Sequence, residues 1–457
     1  MAGKKSRKPR RSGTVSSQKA IVNDLPAELI DKIVSCNGDD MASLRASSCI
    51  SKAWRAGSLP YLFSFAFFSS REDFACWRTI HASCPYFLDF VQTVKYEPGA
   101  RAQNEELSRM VKGISPSIPN IAHFRALANA IANPPNYSPH PPGINISCMP
   151  KARKLLWDTL LSYGVSVTPE TRRFISSFPA IQELHFSGLF SSISDGIEFL
   201  SLFKNLQKLE LDGIAFERGI FPSAFQYSGD MSVLRDFSIK DCRMPVDWIV
   251  DKVFAVSPPK NLRRITCESN GSPLSPEAFA RLLDLAADSL EELAFTPPIS
   301  ATAEPDWLRL PPFARQSFER LHSLTFVTIQ LGSEPFDPAF TLQWCTTALE
   351  IIPLAPKLQR LVMHTYADQP DQIKEITKGG FFDWDHLAET VSRLYPELKE
   401  FVFRVSMEYN FGEKIKIALE QRLKKKLLGM GEKLVIDWFD ENPTDDDSAS
   451  DSESDLY

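Results

Sequence analysis

The sequence lacks the features that mark secreted, disulfide-bonded or membrane proteins. Its 457 residues include eight cysteines, and no two of them form a C-x-x-C pair, a usage typical of reduced thiols. No stretch approaches the roughly 18 apolar residues that a membrane span requires, and the Lys/Arg-rich N-terminus has no apolar segment of a secretory signal. The sequence therefore predicts a soluble protein of the cytoplasm, the nucleus or both, with no membrane association.

Motifs of the common enzyme classes are also missing. The chain has no G-x-x-x-x-G-K-[ST], no G-x-G-x-x-G after a strand, no G-x-S-x-G and no H-E-x-x-H, which removes the usual signatures of nucleotide, acyl-transfer and zinc-hydrolase chemistry. The seven histidines show no metal-ligand spacing with one another or with cysteine. The sequence thus predicts a protein that is not an enzyme and that binds no cofactor and no metal.

A large excess of charge of one sign is confined to the two ends. The net charge is −6, but residues 1–20 carry seven Lys/Arg and no acid, and residues 437–457 carry nine Asp/Glu and no base. The middle is too balanced to predict a nucleic-acid surface. Residues 1–20 and 440–457 have the composition of disordered tails. The run from Lys4 to Arg11 resembles a nuclear-localisation signal, although a solvated basic tail has the same composition.

What the chain does contain is repetition. Eight segments have the pattern apolar-x-x-apolar-x-apolar, and successive starts are 25, 28, 28, 28, 31, 37 and 40 residues apart. Two weaker copies begin at Val91 and Ile121. Such a period is typical of a solenoid, because one repeat cannot bury its apolar face alone. The eight segments begin at Ile181, Leu206, Leu234, Leu262, Leu290, Leu321, Leu358 and Leu398.

Helical patterns lie between the repeated segments. Ser275 precedes Pro276 as an N-cap and first-turn pair, and Asp383 takes the same capping place before a later helix. Strand, loop and helix at this period predict parallel strands joined by right-handed crossovers. The sequence thus predicts an α/β fold with a solenoid over residues 80–439.

A compact helical pattern precedes the repeats. Leu25, Leu29, Ile30 and Ile33 fall on one face of a short helix. The chain reads Leu-Pro-x-Glu-Leu-Ile from Leu25, then Leu-Arg, and finally Ser-Lys-Ala-Trp. In this it resembles the F-box family, whose motif runs from Leu-Pro-x-Glu-Leu to a Cys-Lys/Arg-x-Trp ending. Here Ser51 stands where the family has cysteine.

The F-box resemblance implies a small all-helical domain, assigned to residues 21–68, that binds the adaptor subunit of a cullin–RING (SCF-type) ubiquitin ligase. The residues themselves fit a second interpretation, in which they form the private core of a helical cap on the repeats. The resemblance places the following residues at or just beneath the contact with the ligase adaptor: Leu25, Pro26, Leu29, Ile30, Ile33, Leu44 and Trp54.

The repeated segments resemble leucine-rich repeats of the type Leu-x-x-Leu-x-Leu-x-x-Asn/Cys. Cys242 and Asn270 keep the ninth-position residue, and the other six copies replace it. The resemblance implies a horseshoe with parallel strands on its concave face and helices on its convex face, and the replacements imply irregular turns. F-boxes followed by leucine-rich repeats are a common architecture, so each resemblance supports the other.

Side chains between the apolar positions of a strand face away from the core. On the predicted concave face they are polar with mixed charge, which favours a protein partner over a phosphate backbone, although the wet side of any sheet looks similar. The candidate partner-binding residues are Glu183, His185, Lys208, Glu210, Asp212, Asp236, Lys240, Arg264, Glu268, Glu292, Arg360, His364, Glu400 and Arg404.

Together the two resemblances predict a substrate-recognition adaptor of a ubiquitin ligase, a monomer within a larger complex. The helical domain binds the ligase adaptor subunit, and the concave face binds a protein substrate. One alternative is a leucine-rich-repeat interaction scaffold that never meets the ligase. Another is a nucleic-acid or chromatin binder that uses residues 1–20, which the near-neutral middle of the chain disfavours.

Overall fold

The computed structural model describes residues 25–38, 40–98, 141–142, 148–159, 164–218, 226–240, 242, 246–268, 274–295, 320–330, 349, 357–367, 374, 383–407 and 412–440. The predicted basic tail, residues 441–457 of the predicted acidic tail and the weak repeat copy at Ile121 lie outside these ranges.

One parallel sheet runs through the described part of the chain. Its twelve strands pair in chain order. This sequential, parallel pairing confirms the predicted α/β arrangement of repeated strand-and-crossover units. The strands are β1 (Phe65–Phe68), β2 (Thr93–Tyr96), β3 (Lys154–Asp158), β4 (Glu183–Ser192), β5 (Lys208–Arg218), β6 (Asp236–Lys240), β7 (Arg264–Glu268), β8 (Glu292–Phe295), β9 (Phe326–Gln330), β10 (Arg360–Ala367), β11 (Glu400–Met407) and β12 (Leu434–Asp440).

Helices precede the sheet and connect several of its strands. Two predicted caps are confirmed: the side chain of Ser275 accepts a hydrogen bond from the backbone N–H of Ala278, and that of Asp383 accepts one from His386. The described segments contain the α-helices α1 (Ala27–Cys36), α2 (Met41–Ser48), α3 (Lys52–Leu62), α4 (Arg71–Ser83), α5 (Pro169–Ser176), α6 (Ile193–Ser201), α7 (Pro276–Ala286), α8 (Trp384–Leu394) and α9 (Glu413–Lys426), a π-helix (Ile249–Phe254) and two 3₁₀ helices (Pro85–Phe90 and Leu428–Lys433).

Alternate residues of the strands point into one continuous apolar core, as the apolar-x-apolar pattern requires. Aromatic rings fill its N-terminal part. Phe186 stacks on Phe190 with ring centroids 4.2 Å apart, and Trp157 meets Phe199 edge-on at 5.0 Å. The other face of the sheet carries the polar residues and is called the outward face below.

The sheet contains more repeats than the sequence predicts. The weak copy at Val91 is confirmed, because β2 pairs with β3 and buries Val94 and Tyr96. A copy at Ala152, with Leu155 and Trp157, was missed. Alanine and tryptophan stand there in place of leucine, and the pattern therefore gives a weak signal.

One predicted repeat has the wrong register. The sequence places Leu321, Leu324 and Phe326 in the core, but Leu293 of β8 pairs with Val327 of β9. The three positions of the repeat are therefore Leu324, Val327 and Ile329, all buried, and Leu321 is buried ahead of them. Because Leu321 and Leu324 are three residues apart, either can occupy the first apolar position. Phe326 consequently lies on the outward face, where the guanidinium of Arg360 sits 5.4 Å from its ring centroid.

Helices α1, α2 and α3 form a small helical unit over residues 25–62 with its own core. Ile30, Val34, Leu44 and Trp54 are buried there. A side chain at Gly57 would meet Asp31 at 2.9 Å, which allows α3 to approach α1 closely. The unit meets the sheet region where Phe63 stacks on Phe87, with ring centroids 4.2 Å apart.

The sheet begins earlier in the chain than the predicted domain boundary. Strand β1 (Phe65–Phe68) pairs with β2 and buries Ala66 and Phe68 in the sheet's core. These residues lie inside the range 21–68 that the sequence assigns to the helical domain. By packing, the helical unit ends near Leu62.

Candidate functional site

Helix α1 exposes large apolar side chains although it belongs to a folded unit. Leu29 is 47% exposed and Ile33 is 41% exposed, one helical turn apart, and Pro26 at the start of the helix is exposed too. Single exposed apolar residues are common, but a group of them on one short helix is a feature of interaction sites. Pro26, Leu29 and Ile33 are called the α1 surface below.

The remaining residues of the predicted F-box contact are buried or partly buried. Ile30, Leu44 and Trp54 are buried in the core of the helical unit, and Leu25 packs against that core. These four residues hold α1 in place, and the α1 surface is what the helix offers to another molecule. Met41 and Ile50, which the sequence reasoning did not select, are further exposed apolar residues of the unit.

On the outward face, side chains of neighbouring strands line up in rows. In the first row the sign of the charge alternates at each strand from Lys154 to Glu292. Neighbours neutralise one another: Arg264 donates to both carboxylate oxygens of Asp236 at 2.6 and 2.8 Å, and Arg360 Nε lies 2.7 Å from Glu400 Oε2. The first row consists of Thr93, Lys154, Glu183, Lys208, Asp236, Arg264, Glu292, Phe326, Arg360 and Glu400.

Two further rows lie toward the C-terminal ends of the strands. All fourteen candidate residues of the predicted concave face fall in one of the three rows. The second row consists of Lys95, Leu156, His185, Glu210, Ser238, Thr266, Ala294, Thr328, Val362, Val402 and Val435. The third consists of Asp158, Ser187, Asp212, Lys240 and Glu268, and of Gln330, His364, Arg404 and Asp437.

Glu210 is the electrostatic centre of the N-terminal part of this face. Its carboxylate lies 3.1 Å from Lys240 Nζ, 3.6 Å from Lys208 Nζ and 3.7 Å from His185 Nδ1. The contact with His185, followed by the hydrogen bond from Lys240, lowers the pKa of Glu210 far below its usual range. Burial, followed by the charge of Glu97, raises the pKa of Asp158. Glu210 and the three side chains around it therefore form a fixed cluster.

In β10 and β11 the second row of the outward face is closed to solvent. Val362 and Val402 are each 1% exposed, although they lie on the outward side of the sheet. In the third row, His364 Nε2 and Ser406 Oγ are 2.6 Å apart. Burial, followed by the charge of Arg404, lowers the pKa of His364 to about 4. This bond fixes the imidazole. Because Ser406 has no exposed surface, its hydroxyl is not accessible to a substrate as a nucleophile.

A groove of about 490 Å³ crosses the N-terminal ends of β4 to β8. Its lining combines first-row residues with the residue that precedes each of them in the chain, among them Gln182, Gln207, Arg235 and Arg263. The sequence reasoning missed these four because it selected only the alternating positions within each strand. The second position of each repeat is polar in all the strands that line the groove, and this pattern could have identified these residues.

Within the described ranges, no group of three His, Cys, Asp or Glu side chains is arranged to hold a metal ion. None of the described helices combines the length and apolar composition needed to cross a bilayer.

The site therefore has two parts: an apolar surface on α1 and a charged outward face that is open from β2 to β8. Comparison with known proteins adds no family to this description. No model of a known protein family matches the chain, and no curated protein matches it either.

Proposed function

We propose that this protein is a substrate-recognition adaptor of a cullin–RING (SCF-type) ubiquitin ligase. The helical unit is an F-box that binds the ligase adaptor subunit, and the sheet is a leucine-rich-repeat solenoid that binds a protein substrate. The observation that carries the proposal is the α1 surface. A helical unit with a core of its own keeps Leu29 and Ile33 exposed on the helix that opens the F-box-like motif.

The energetics of the α1 surface fit a docking role. Removing a half-exposed leucine or isoleucine from water yields about 1 kcal/mol each at about 25 cal/mol per Å². Two such side chains and Pro26 supply apolar anchors at the centre of a contact. Ser51, which replaces the family's cysteine, accepts a hydrogen bond from the backbone N–H of Trp54 and so caps α3.

The open part of the outward face supports the second half of the proposal. Polar and charged side chains of mixed sign cover β2 to β8, and several of them are fixed by ion pairs to their neighbours. A preorganised polar surface of this kind gives selectivity for a complementary protein surface. The proposed complex acts in the cytoplasm, the nucleus or both, with one copy of this chain.

The test is capture of the ligase adaptor subunit by the purified full chain. The informative variant is Leu29→Lys/Ile33→Lys, because both side chains are exposed and the core of the unit stays intact. A matched control is Val233→Lys/Val256→Lys, which changes two similarly exposed apolar residues far from the helical unit. We expect the first variant to lose the adaptor and the control to keep it, with unchanged circular dichroism for both.

A repeat scaffold that never meets the ligase is the competing proposal. It is favoured by the burial of Ile30, Leu44 and Trp54, since a private core is what a helical cap needs. If the wild-type chain fails to bind the adaptor at concentrations of about 10 µM, where a contact of about −7 kcal/mol is half-occupied, the scaffold is the better description.

A further inference from the structure

The N-terminal edge of strands β3 to β7 is strongly basic although the chain as a whole is acidic. The last four residues before each of these strands and its first residue together hold nine Lys/Arg and only two Asp/Glu. The equivalent positions of the next strand, residues 288–292, hold three acids and no base. The five basic-edge ranges are 150–154, 179–183, 204–208, 232–236 and 260–264.

Most of these cations make no close ion pair with another described residue. Lys208, Arg263 and Arg264 pair with Glu210, Glu291 and Asp236, respectively. The other six make no ion pair within 4.0 Å in the described ranges, and five of those six are exposed. These five are Lys151, Arg153, Lys204, Arg235 and Lys260. Unpaired cations concentrated on one edge attract an anionic partner.

The groove overlaps this edge from β4 to β7 and has the dimensions of an extended peptide. Its lining holds four Lys/Arg and four Asp/Glu, so the excess of positive charge comes from the exposed cations beside it. It crosses five strands, which at about 4.8 Å between strands spans about 19 Å, the length of about six extended residues. The side-chain amides of Gln182 and Gln207 line it and each offer both a donor and an acceptor to a peptide backbone. At the far end, Glu291 and Glu292 repel further negative charge and limit the acidic stretch to β3 to β7.

We infer that the basic edge, together with the groove that it borders, binds an Asp/Glu-rich segment of a protein partner. The inference deepens the proposed function, on which it rests, by naming the chemistry of the substrate. The cations lie at four of the five strands, since the range before β4 has none, and they do not converge on one point, which suits a run of carboxylates. A nucleic-acid duplex fits less well, because every one of its phosphates carries a charge and the same face of the sheet also holds the acids Glu210, Asp212 and Glu292.

The experiment measures fluorescence anisotropy of a labelled peptide with six consecutive glutamates, titrated with the full chain. The groove variant is Arg153→Glu/Arg235→Glu, in which Arg235 lines the groove and Arg153 lies beside its β4 end, where the backbone carbonyl of Arg153 accepts a hydrogen bond from the N–H of Gln182. The matched control is Arg422→Glu/Lys425→Glu, which makes the same charge change at exposed positions of α9. We expect the groove variant to lose about tenfold or more in affinity and the control to change about twofold at most. Binding should weaken as salt shortens the screening length.

The chain's own acidic residues 441–457 carry the same charge as the peptide and would compete with it for the basic edge. A separate variant controls for this competition. A full-length variant with the seven acidic residues of this segment changed to amides should bind the peptide at least as tightly as the wild type. Absence of peptide binding in both proteins would overturn the inference. So would equal binding of a hexaglutamine peptide, equal losses in the groove and control variants, or tighter binding of a duplex DNA of similar length.

Capture of the ligase adaptor tests the proposed function independently of peptide binding. The groove variant keeps the α1 surface, and we therefore expect it to capture the ligase adaptor as the wild type does. Loss of peptide binding with adaptor capture intact supports the groove as the substrate site. Peptide binding by a chain that never captures the adaptor would leave the groove assignment standing and refute the ligase role.

Discussion

The helical unit and the sheet each bury apolar side chains in a core, but they expose surfaces of opposite character. The unit has a core of four buried residues and exposes Leu29 and Ile33, whereas the sheet has a continuous core and exposes rows of charge. A small unit has little interior for its apolar residues. A stacked solenoid can bury every apolar position, because each repeat covers the next. The difference predicts an apolar contact at one end of the molecule and an electrostatic contact along the rest.

The largest expected effect is on the free energy of unfolding, and it acts on different regions when each of the two cores is mutated. Phe186→Ala removes a fully buried ring that stacks on Phe190 and should lower the free energy of unfolding of the sheet by about 3–5 kcal/mol. Leu44→Ala, in the core of the helical unit, should cost about 2–4 kcal/mol and should act on the unit alone. Thermal melts followed by limited proteolysis distinguish unfolding of the helical unit from unfolding of the sheet.

If Leu44→Ala exposes the sheet to protease as readily as Phe186→Ala does, the two regions share one cooperative core. The contrast between them would then fail. Val233→Ala, at an exposed position next to the buried Leu234, controls for the effect of truncation alone and should change stability by less than about 0.5 kcal/mol.

The next effect is the response to acid. The pKa of His364 is about 4 in the folded protein and about 6.5 in an unfolded chain. The unfolded state therefore takes up the proton first, and stability present above about pH 6.5 is lost as the pH falls toward about 4, by up to about 3 kcal/mol. The helical unit, residues 25–62, contains no histidine, so acid in this range should loosen the sheet first.

Chemical denaturation of the wild type and of His364→Asn at several pH values checks this expectation. The variant should lose the part of the pH dependence that lies between about pH 6.5 and 4. An unchanged slope in this window would show that His364 takes up its proton without cost in the folded state, contrary to its burial.

The smallest effect concerns the charged cluster of the sheet. Glu210→Gln removes the charge that holds His185, Lys208 and Lys240 together and should cost about 1 kcal/mol at neutral pH. Since the folded pKa of Glu210 is depressed, its contribution is present above the unfolded value of about 4.3 and declines in acid. The wild type and the variant should therefore differ less at pH 3 than at pH 7, and Glu183→Gln, in the neighbouring strand, serves as the control.

Local pattern was enough to predict most of the sheet, and the errors have physical causes. Seven of the eight strong copies were predicted in the correct register, because alternation and period agree there. The copy at Ala152 was missed, since alanine gives little apolar signal before Trp157. The shifted register at Leu321 was avoidable. Starting that repeat at Leu324 gives two equal intervals of 34 residues to its neighbours in place of 31 and 37.

The candidate site was only partly readable from the sequence. The α1 residues share one motif, but the sequence does not say that Leu29 and Ile33 face out while Ile30 turns inward. Likewise, the basic edge combines residues up to about 110 positions apart in the chain, from Lys151 to Arg264. Such an edge appears only when the strands are stacked in register.

Hydrogen–deuterium exchange of the full chain, with and without the ligase adaptor subunit, is the most direct measurement of the ligase role. We predict that the adaptor slows exchange most in α1 (Ala27–Cys36) and leaves β4 to β8 unchanged, because the α1 surface is the proposed contact. Slowed exchange only in the sheet, or none at all under saturating adaptor, would contradict the assignment of the helical unit as an F-box.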